Sequence, residues 1–419
     1  MAVEEPRMFD YFKKHRRWKL ATAILSLSLL TVMAGAAVAP ALDLIRDYFS
    51  DVDPLYVQLI ISMPALFIAI TNLFFQRLSR RFRARTLLII GLGFYVVGGC
   101  AAGLFSNIFL VLVCRAVVGV GVGIIMPLST GLIAFYFTRD KQDVLMGYSS
   151  AMNMLGGVVA TLIAGALSMF SWRLSFFVYL LGLISIILCA LWMPNESIYD
   201  SKQPKKEQGV FRRYYVYIVA MFLLMATFFI YPADFAMETA KQGIIPVQYV
   251  AIIMASMDIL GFFGGLAYAG ARRRFGAAAC FIAPVLFACG YGLLSLVPGW
   301  FGTLAGSFII GFANGIGVPF IMTTAAAKAG AAAPTTVMPM LSLALYLAQF
   351  VTPFLLTAIR PLLSGFIPGY SSYTAAIFMA ALFFLWSILV FGASRDRSSK
   401  SEAPVKKAVR EEAKEKMSA

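Results

Sequence analysis

Apolar residues run through this chain in stretches of about 20, each closed by a short polar, glycine- or proline-bearing connector. As a helix, a stretch of that length matches the hydrocarbon core of a bilayer. Backbone N–H and C=O groups in lipid must pair within the chain, so helix is the default for each stretch. A membrane β-barrel would instead need alternating segments of about ten residues, which this chain does not have. The pattern predicts twelve helices, near residues 19–42, 55–76, 86–105, 108–137, 143–169, 173–193, 214–234, 247–271, 277–297, 300–325, 335–362 and 371–393. Turn formers or charges separate them, as at Asp51-Val52-Asp53-Pro54, Arg139-Asp140-Lys141, Pro298-Gly299 and Pro368-Gly369-Tyr370.

Composition narrows the class. Of 419 residues, 60% are hydrophobic and 13% charged, with a mean hydropathy of +0.82. Soluble domains average about 25% charged residues, so a water-soluble enzyme and a disordered chain are both excluded. Twelve spans also leave no room for an extramembrane domain of ordinary size. The net charge of +15 would suggest nucleic acid in a soluble protein. Here the basic residues sit in short connectors, which is the positive-inside pattern, and no nucleic-acid partner is implied. With the N-terminus in the cytoplasm, 30 of the 35 Lys and Arg fall on the cytoplasmic side. Arg46, Arg173, Lys241 and Arg360 fall outside, and Arg115 lies within the membrane. That asymmetry predicts a multi-pass protein of the cell membrane with both termini cytoplasmic and an even number of spans. Residues 1–19 are too polar for a cleavable signal peptide, and the first apolar run is too long. The five cysteines lie inside apolar runs and show no disulfide pattern.

The connector 194–213 is the longest polar one and divides the chain. The expected organisation is a basic N-terminal segment 1–18, a six-helix bundle 19–193, the linker 194–213, a second six-helix bundle 214–393, and a charged tail 394–419. The halves repeat. A shift of 192 places Pro40 on Pro232, Gly119 on Gly311, Gly123 on Gly315 and Pro127 on Pro319. A shift of 193 places Arg80-Arg81-Phe82 on Arg273-Arg274-Phe275. Each half starts on the same side and has an even number of spans, so the repeat is parallel. The fold class is an all-α membrane protein, two six-helix bundles related by a pseudo-two-fold along the membrane normal. Many secondary transporters are built this way, with a substrate site between the halves near the midplane.

No cofactor is expected. The chain lacks a G-x-x-x-x-G-K-[ST] phosphate loop, and Gly119, Gly121 and Gly123 lie mid-span without a preceding strand. Its only histidine, His15, leaves zinc and triad chemistry without parts, so no metal or catalytic residue is expected. Arg115 is the most informative side chain. Arginine at a helix centre costs roughly 2.5–3.5 kcal/mol on insertion scales, so it should face a wet cavity or a partner. The alternative is a structural arginine bonded to carbonyls of neighbouring helices. Asp258, near the middle of the eighth span, is a second candidate, as a proton carrier. Asn153, Asn314, Gln349 and Tyr346 are candidates for the cavity wall, as is Asn72, although such side chains also join helices. Asp43 and Asp234 read as solvated rim charges. Gly119, Gly123, Gly311 and Gly315 form small-xxx-small packing motifs, and Pro127 and Pro319 are expected to kink their helices. Arg77, Arg80, Arg81, Arg83 and Arg85 make the loop between the second and third spans a basic anchor or gate.

Over residues 19–393 these features resemble the major facilitator superfamily. The most specific match is Leu112-Val-Cys-Arg115-Ala-Val-Val-Gly119-Val-Gly121-Val-Gly123. It looks like the fourth-helix signature of proton-coupled drug antiporters, in which the arginine is implicated in proton coupling. Ser171-Trp172-Arg173 before an aromatic-rich sixth span is similar to the same 12-helix branch. Two departures stand out. In the loop between the second and third spans the family's Asp is Arg80, and its two glycines are Gln76 and Arg83. The fifth span, at residues 160–165, lacks the antiporter proline. The resemblance implies a non-enzymatic secondary transporter working by alternating access, with proton-coupled export of small amphipathic organic compounds as the leading expectation. Proton-coupled uptake of a small organic anion held by Arg115, and a non-transporting receptor of the same fold, are the alternatives. The expected partners are a small-molecule substrate, protons and the lipid bilayer, for a monomer.

Overall fold

The structure is a computed structural model in which residues 5–137, 139–195, 210–243, 245–329, 333–364 and 371–393 are described. Among them every regular element is a helix. Eleven helical stretches are long and apolar enough to cross a membrane, and one of these, Val247–Leu296, holds two helices. Gly276, at φ 55°, lets the chain turn there into a 3₁₀ segment, a conformation that costs a residue with a Cβ more than glycine. The count of twelve follows. In chain order they are α1 (Glu5–Ala36), α2 (Pro54–Arg81), α3 (Ala84–Ala102), α4 (Ile108–Tyr136), α5 (Arg139–Ser168), α6 (Trp172–Ser175, Phe176–Leu181 and Gly182–Trp192), α7 (Val210–Gln242), α8 (Val247–Phe275), α9 (Gly276–Phe281 and Ile282–Leu296), α10 (Trp300–Ala329), α11 (Ala333–Ser364) and α12 (Ser372–Ala393).

Side chains mark several starts. Asp53 caps α2 by accepting from Leu55 N at 2.8 Å, with Pro54 in the first turn. Asn107 caps α4 through Phe109 N at 2.8 Å. Both satisfy N–H groups that a helix start leaves unpaired.

The bounds differ from expectation where prolines and local bonds decide. Instead of spanning 19–42, α1 starts at Glu5 and ends at Ala36; Pro40 sits in a 3₁₀ turn (Ala39–Ala41) before a short helix, Leu42–Tyr48. Its repeat partner Pro232 does not stop α7, which runs on to Gln242 rather than 234. Proline frees the carbonyl four residues back, here that of Phe228. The phenol of Tyr291 donates there at 3.4 Å and to Thr227 O at 2.7 Å, which gives the freed carbonyl a partner inside the bundle. Pro127 and Pro319 likewise lie inside continuous helices. Of the connector 194–213, residues 196–209 lie outside the described set, as do the first four residues and the tail from 394.

Contacts sort the helices into two bundles. In the first, α1 packs on α4, α5 and α6, α4 on α2 and α3, and α3 on α6. In the second, α10 packs on α7, α8, α9 and α11, and α7 on α11. The twelfth helix joins it through Trp386 Nε1 donating to Val216 O at 2.9 Å. The bundles meet along α2 with α11 and along α8 with α5. The repeat exchanges these two pairs, so the pseudo-two-fold is visible in the interface itself. It also shows in close packing: a Cβ on Gly119 would overlap the backbone of Pro64, and one on Gly311 that of Met257. Both pairs correspond within the repeat. Leu73, Val113, Leu266 and Leu385 stand more than half exposed, the outward face expected of a molecule solvated by lipid.

One face of the molecule carries Asp43, Asp47, Asp51, Asp53 and Glu238 at its helix ends, and the other carries the arginine loop 77–85 and Arg272, Arg273 and Arg274. These are the acidic and basic faces.

Candidate functional site

The candidates from sequence separate into three places. At the first, Asp258 sits eleven residues into α8, about 16 Å from its acidic-face end at the helical rise. Gly157 of α5 lies opposite: a Cβ there would be 3.0 Å from Asp258 Oδ2 and 3.2 Å from a Val32 methyl. The carboxylate thus occupies a junction of α1, α5 and α8, on the seam between bundles. It is partly exposed, and among the described residues it has no hydrogen-bond or ion-pair partner. One turn along α5, Asn153 Oδ1 accepts from Thr31 Oγ1 of α1 at 2.6 Å. Asp258 and Asn153 therefore face the same stretch of α1.

Two more candidates reach the other flank of the first bundle. Gln349 of α11 lies with its Nε2 3.3 Å from where a Cβ on Gly35 would be. Tyr346, one turn before it, donates to Met126 Sδ of α4 at 2.8 Å. Both side chains cross between bundles. Asn314 and Asn72 each keep a buried Oδ1 without a hydrogen bond and are not brought to this junction by any contact.

Arg115 stands apart from the seam. It is fully buried inside the first bundle, at 0% exposure. Its Nε donates to Ile60 O of α2 at 2.7 Å, Nη1 to Tyr179 OH of α6 at 2.5 Å, and Nη2 to Ala34 O of α1 at 2.5 Å. Tyr179 OH also donates to Ala34 O, at 2.9 Å. Each guanidinium nitrogen is thus spent on protein, and Arg115 and Asp258 make no ion pair. The repeat partner of Arg115 is Ser307, fully buried, which accepts from Tyr231 OH at 2.7 Å and donates to Thr303 O at 2.7 Å.

The third place is the acidic face, and there the structure corrects the sequence. Asp234 is no solvated rim charge: it is 3% exposed. Because α7 runs on to Gln242 rather than ending at 234, Asp234 falls inside the helix rather than at its outer end. Gln58 Nε2 of α2 donates to its Oδ1 at 2.5 Å, joining the two bundles, and the hydroxyl of Ser372 on α12 lies beside the carboxyl. One turn on, Glu238 pairs with Lys241 at 2.5 Å. Asp43 does stay partly exposed, lining an open groove of about 520 Å³ with Arg46, Asp47 and Lys241. Sequence reasoning missed Gln58, Tyr179 and Tyr231. Gln58 was legible as a glutamine inside an apolar span, whereas nothing distinguished the two tyrosines among 18.

In the basic loop, Arg85 Nη2 donates to Ala190 O, and the Arg77 guanidinium lies 5.5 Å from the Phe74 ring centre. Arg81 and Arg83 are exposed; the side chain of Arg80 lies outside the described set. Among the described residues no cluster of His, Cys, Asp or Glu is arranged to hold a metal.

The family model of the Major Facilitator Superfamily matches residues 24–353. The chain belongs to the major facilitator superfamily. Several members are similar in sequence over part of their length. An uncharacterized transporter of Schizosaccharomyces pombe is 30% identical over 150 residues, 36% of this chain and 30% of that protein. An uncharacterized MFS-type transporter of Mycobacterium tuberculosis is 32% identical over 30% of this chain and 22% of its own length. The multidrug resistance protein MdtG of Dickeya zeae is 28% identical over 50% of this chain and 51% of its own. The matched segment thus spans less than a third of the first two relatives and about half of the third. Solved structures share the fold. The nucleoside transporter NupG superposes with a TM-score of 0.71 at 14% identity, covering 90% of this chain and 98% of that one. A bacterial homolog of the human lysosomal transporter Spinster, inward-facing and occupied, gives 0.69 at 16% identity, covering 91% and 97%. Family and fold are those of multi-pass membrane transporters.

Proposed function

We propose that the protein is a secondary active transporter that works by alternating access and exports small amphipathic organic compounds in exchange for protons. The observation that carries this reading is Asp258. A carboxylate at mid-membrane depth without a partner is costly to keep charged, so it binds a proton or a cation whenever it is not exposed to water. It lies on the seam where the bundles move against one another, which is where a coupling group must sit to be exposed to each side in turn. Similarity to the multidrug resistance protein MdtG and to the multidrug efflux pump SdrM of Staphylococcus aureus supports organic compounds as cargo. With the basic face taken as cytoplasmic from the positive-inside pattern, the Gln58–Asp234 contact ties the two bundles together on the outer side. Uptake of an organic anion on Arg115 is disfavoured, because that guanidinium is buried and bonded to protein through each of its nitrogens.

The test is flux in proteoliposomes under an imposed proton gradient, with a panel of amphipathic dyes. Asp258→Asn should abolish gradient-driven accumulation while downhill exchange of the dye persists. Gradient-driven accumulation that survives in Asp258→Asn at the wild-type level removes the reading. A complete lack of flux for every solute in the wild-type protein would favour a receptor.

A further inference from the structure

We propose that Arg115 is a positioning residue whose guanidinium replaces backbone donors that α2 and α1 lack, and so holds these helices against α4 and α6 instead of lending its charge to solute or proton. The acceptors identify the role. In an unbroken helix the carbonyl of Ile60 would take the N–H of residue 64, but that residue is Pro64, which has none. The donor that reaches Ile60 O is Arg115 Nε, at 2.7 Å. The carbonyl of Ala34 lies in the last turn of α1, where a helix end leaves carbonyls unpaired, just before the break at Ala36. It receives Arg115 Nη2 and the Tyr179 hydroxyl. A carbonyl orphaned in a dry interior is expensive. One planar fork of donors serves two helices at once, which a compact ammonium cannot do.

The second half of the chain is an internal control. Shifts of 193 and 192, the same ones that align the halves, place Ile60 on Ile253, Pro64 on Met257 and Arg115 on Ser307. Met257 has an N–H, so Ile253 needs no outside donor, and the position facing it carries no arginine. The proline and the arginine are lost together. Close packing ties them further. Gly119 follows Arg115 by one turn on the same face of α4, and its missing Cβ leaves room for the backbone of Pro64. The arginine-and-glycine pattern of the fourth helix is then one device: glycine brings α4 onto the proline of α2, and arginine supplies the donor the proline removed.

A double-mutant cycle tests this without any substrate. The full chain is purified as wild type, Arg115→Met, Arg115→Lys, Pro64→Ala and Arg115→Met/Pro64→Ala, and thermal unfolding midpoints are compared. Pro64→Ala restores a backbone donor to Ile60 O, one of the three bonds Arg115 makes. The drop in midpoint caused by Arg115→Met should therefore be smaller by about a third in the Pro64→Ala background, and Arg115→Lys should lose nearly as much as Arg115→Met. Where Arg115→Met does not accumulate, recovery of folded protein in the double variant counts for the proposal, and its absence counts against it. Strictly additive changes, or full stability in Arg115→Lys, overturn the idea. Because the readout is unfolding, failure here is distinguishable from failure of the transport reading, which rests on Asp258.

Discussion

The contact between Gln58 and Asp234 is the sharpest place to perturb the equilibrium between conformers. It joins α2 of one bundle to α7 of the other at 2.5 Å, with both side chains buried, at 9% and 3% exposure. Opening the acidic face must break it and hand both groups to water. A hydrogen bond to a charged group contributes about 1.5–3 kcal/mol net, which at about 1.4 kcal/mol per tenfold is a factor of roughly 10 to 150 in the ratio of closed to open. Gln58→Leu removes the donor and leaves the carboxyl buried without it, so the open population should rise by a factor in that range. Gln58→Leu/Asp234→Leu should close the face again, since replacing both partners by apolar groups of similar shape is nearly neutral. The assay is a distance distribution between spin labels at Ser50 and Gln242, both exposed on the acidic face, with the exposed Cys289 replaced by Ala. A distribution in Gln58→Leu that matches the wild type refutes the latch. So does a double variant as open as the single one, because the bond would then be incidental to closure.

Three further outcomes follow from packing and bonding. Gly119→Ala and Gly311→Ala each drive a Cβ into helix backbone that cannot move aside, and should each lower unfolding stability by about 1–3 kcal/mol; Gly131→Ala, with nothing within 4 Å of its added Cβ, is the neutral control in the same denaturation series. Gly157→Ala places its Cβ 3.0 Å from Asp258 Oδ2 and should raise the KM for transport several-fold while leaving the unfolding midpoint within a few degrees, as measured by dye flux and thermal unfolding; an unchanged KM would show that the carboxylate has room to retreat. Tyr291→Phe removes the phenol that donates to Thr227 O at 2.7 Å and reaches the carbonyl freed by Pro232, and should cost about 0.5–1.5 kcal/mol, with a larger cost than Tyr291→Phe shows when combined with Pro232→Ala.

What the sequence made legible is what depends on pattern alone. Span length, turn residues and the 192–193 repeat predicted twelve helices in two bundles, because a bilayer forces each span to satisfy its own backbone. The misreadings lie at helix ends. Pro40 and Pro232 correspond in the repeat, yet the chain breaks at the first and runs on through the second. The seventh helix runs on beyond residue 234 to Gln242, which carries Asp234 from an expected rim into the bundle interface. Around Pro40 the corresponding stretch of α1 instead breaks into a 3₁₀ turn. Arg115 shows the same limit from the other side. Its cost in lipid correctly marked it as partnered, but the partner could be water, a carboxylate or a carbonyl, and only the position of Pro64 across the α2–α4 contact decides which. Asp258 was found by the same cost argument, and it remains the one of the two whose charge no described protein group meets. An arginine that stands in for missing backbone and a carboxylate left open at the seam look alike in a sequence. They differ in their bonding: the first has its nitrogens committed to neighbouring helices, and the second has no hydrogen-bond or ion-pair partner among the described residues.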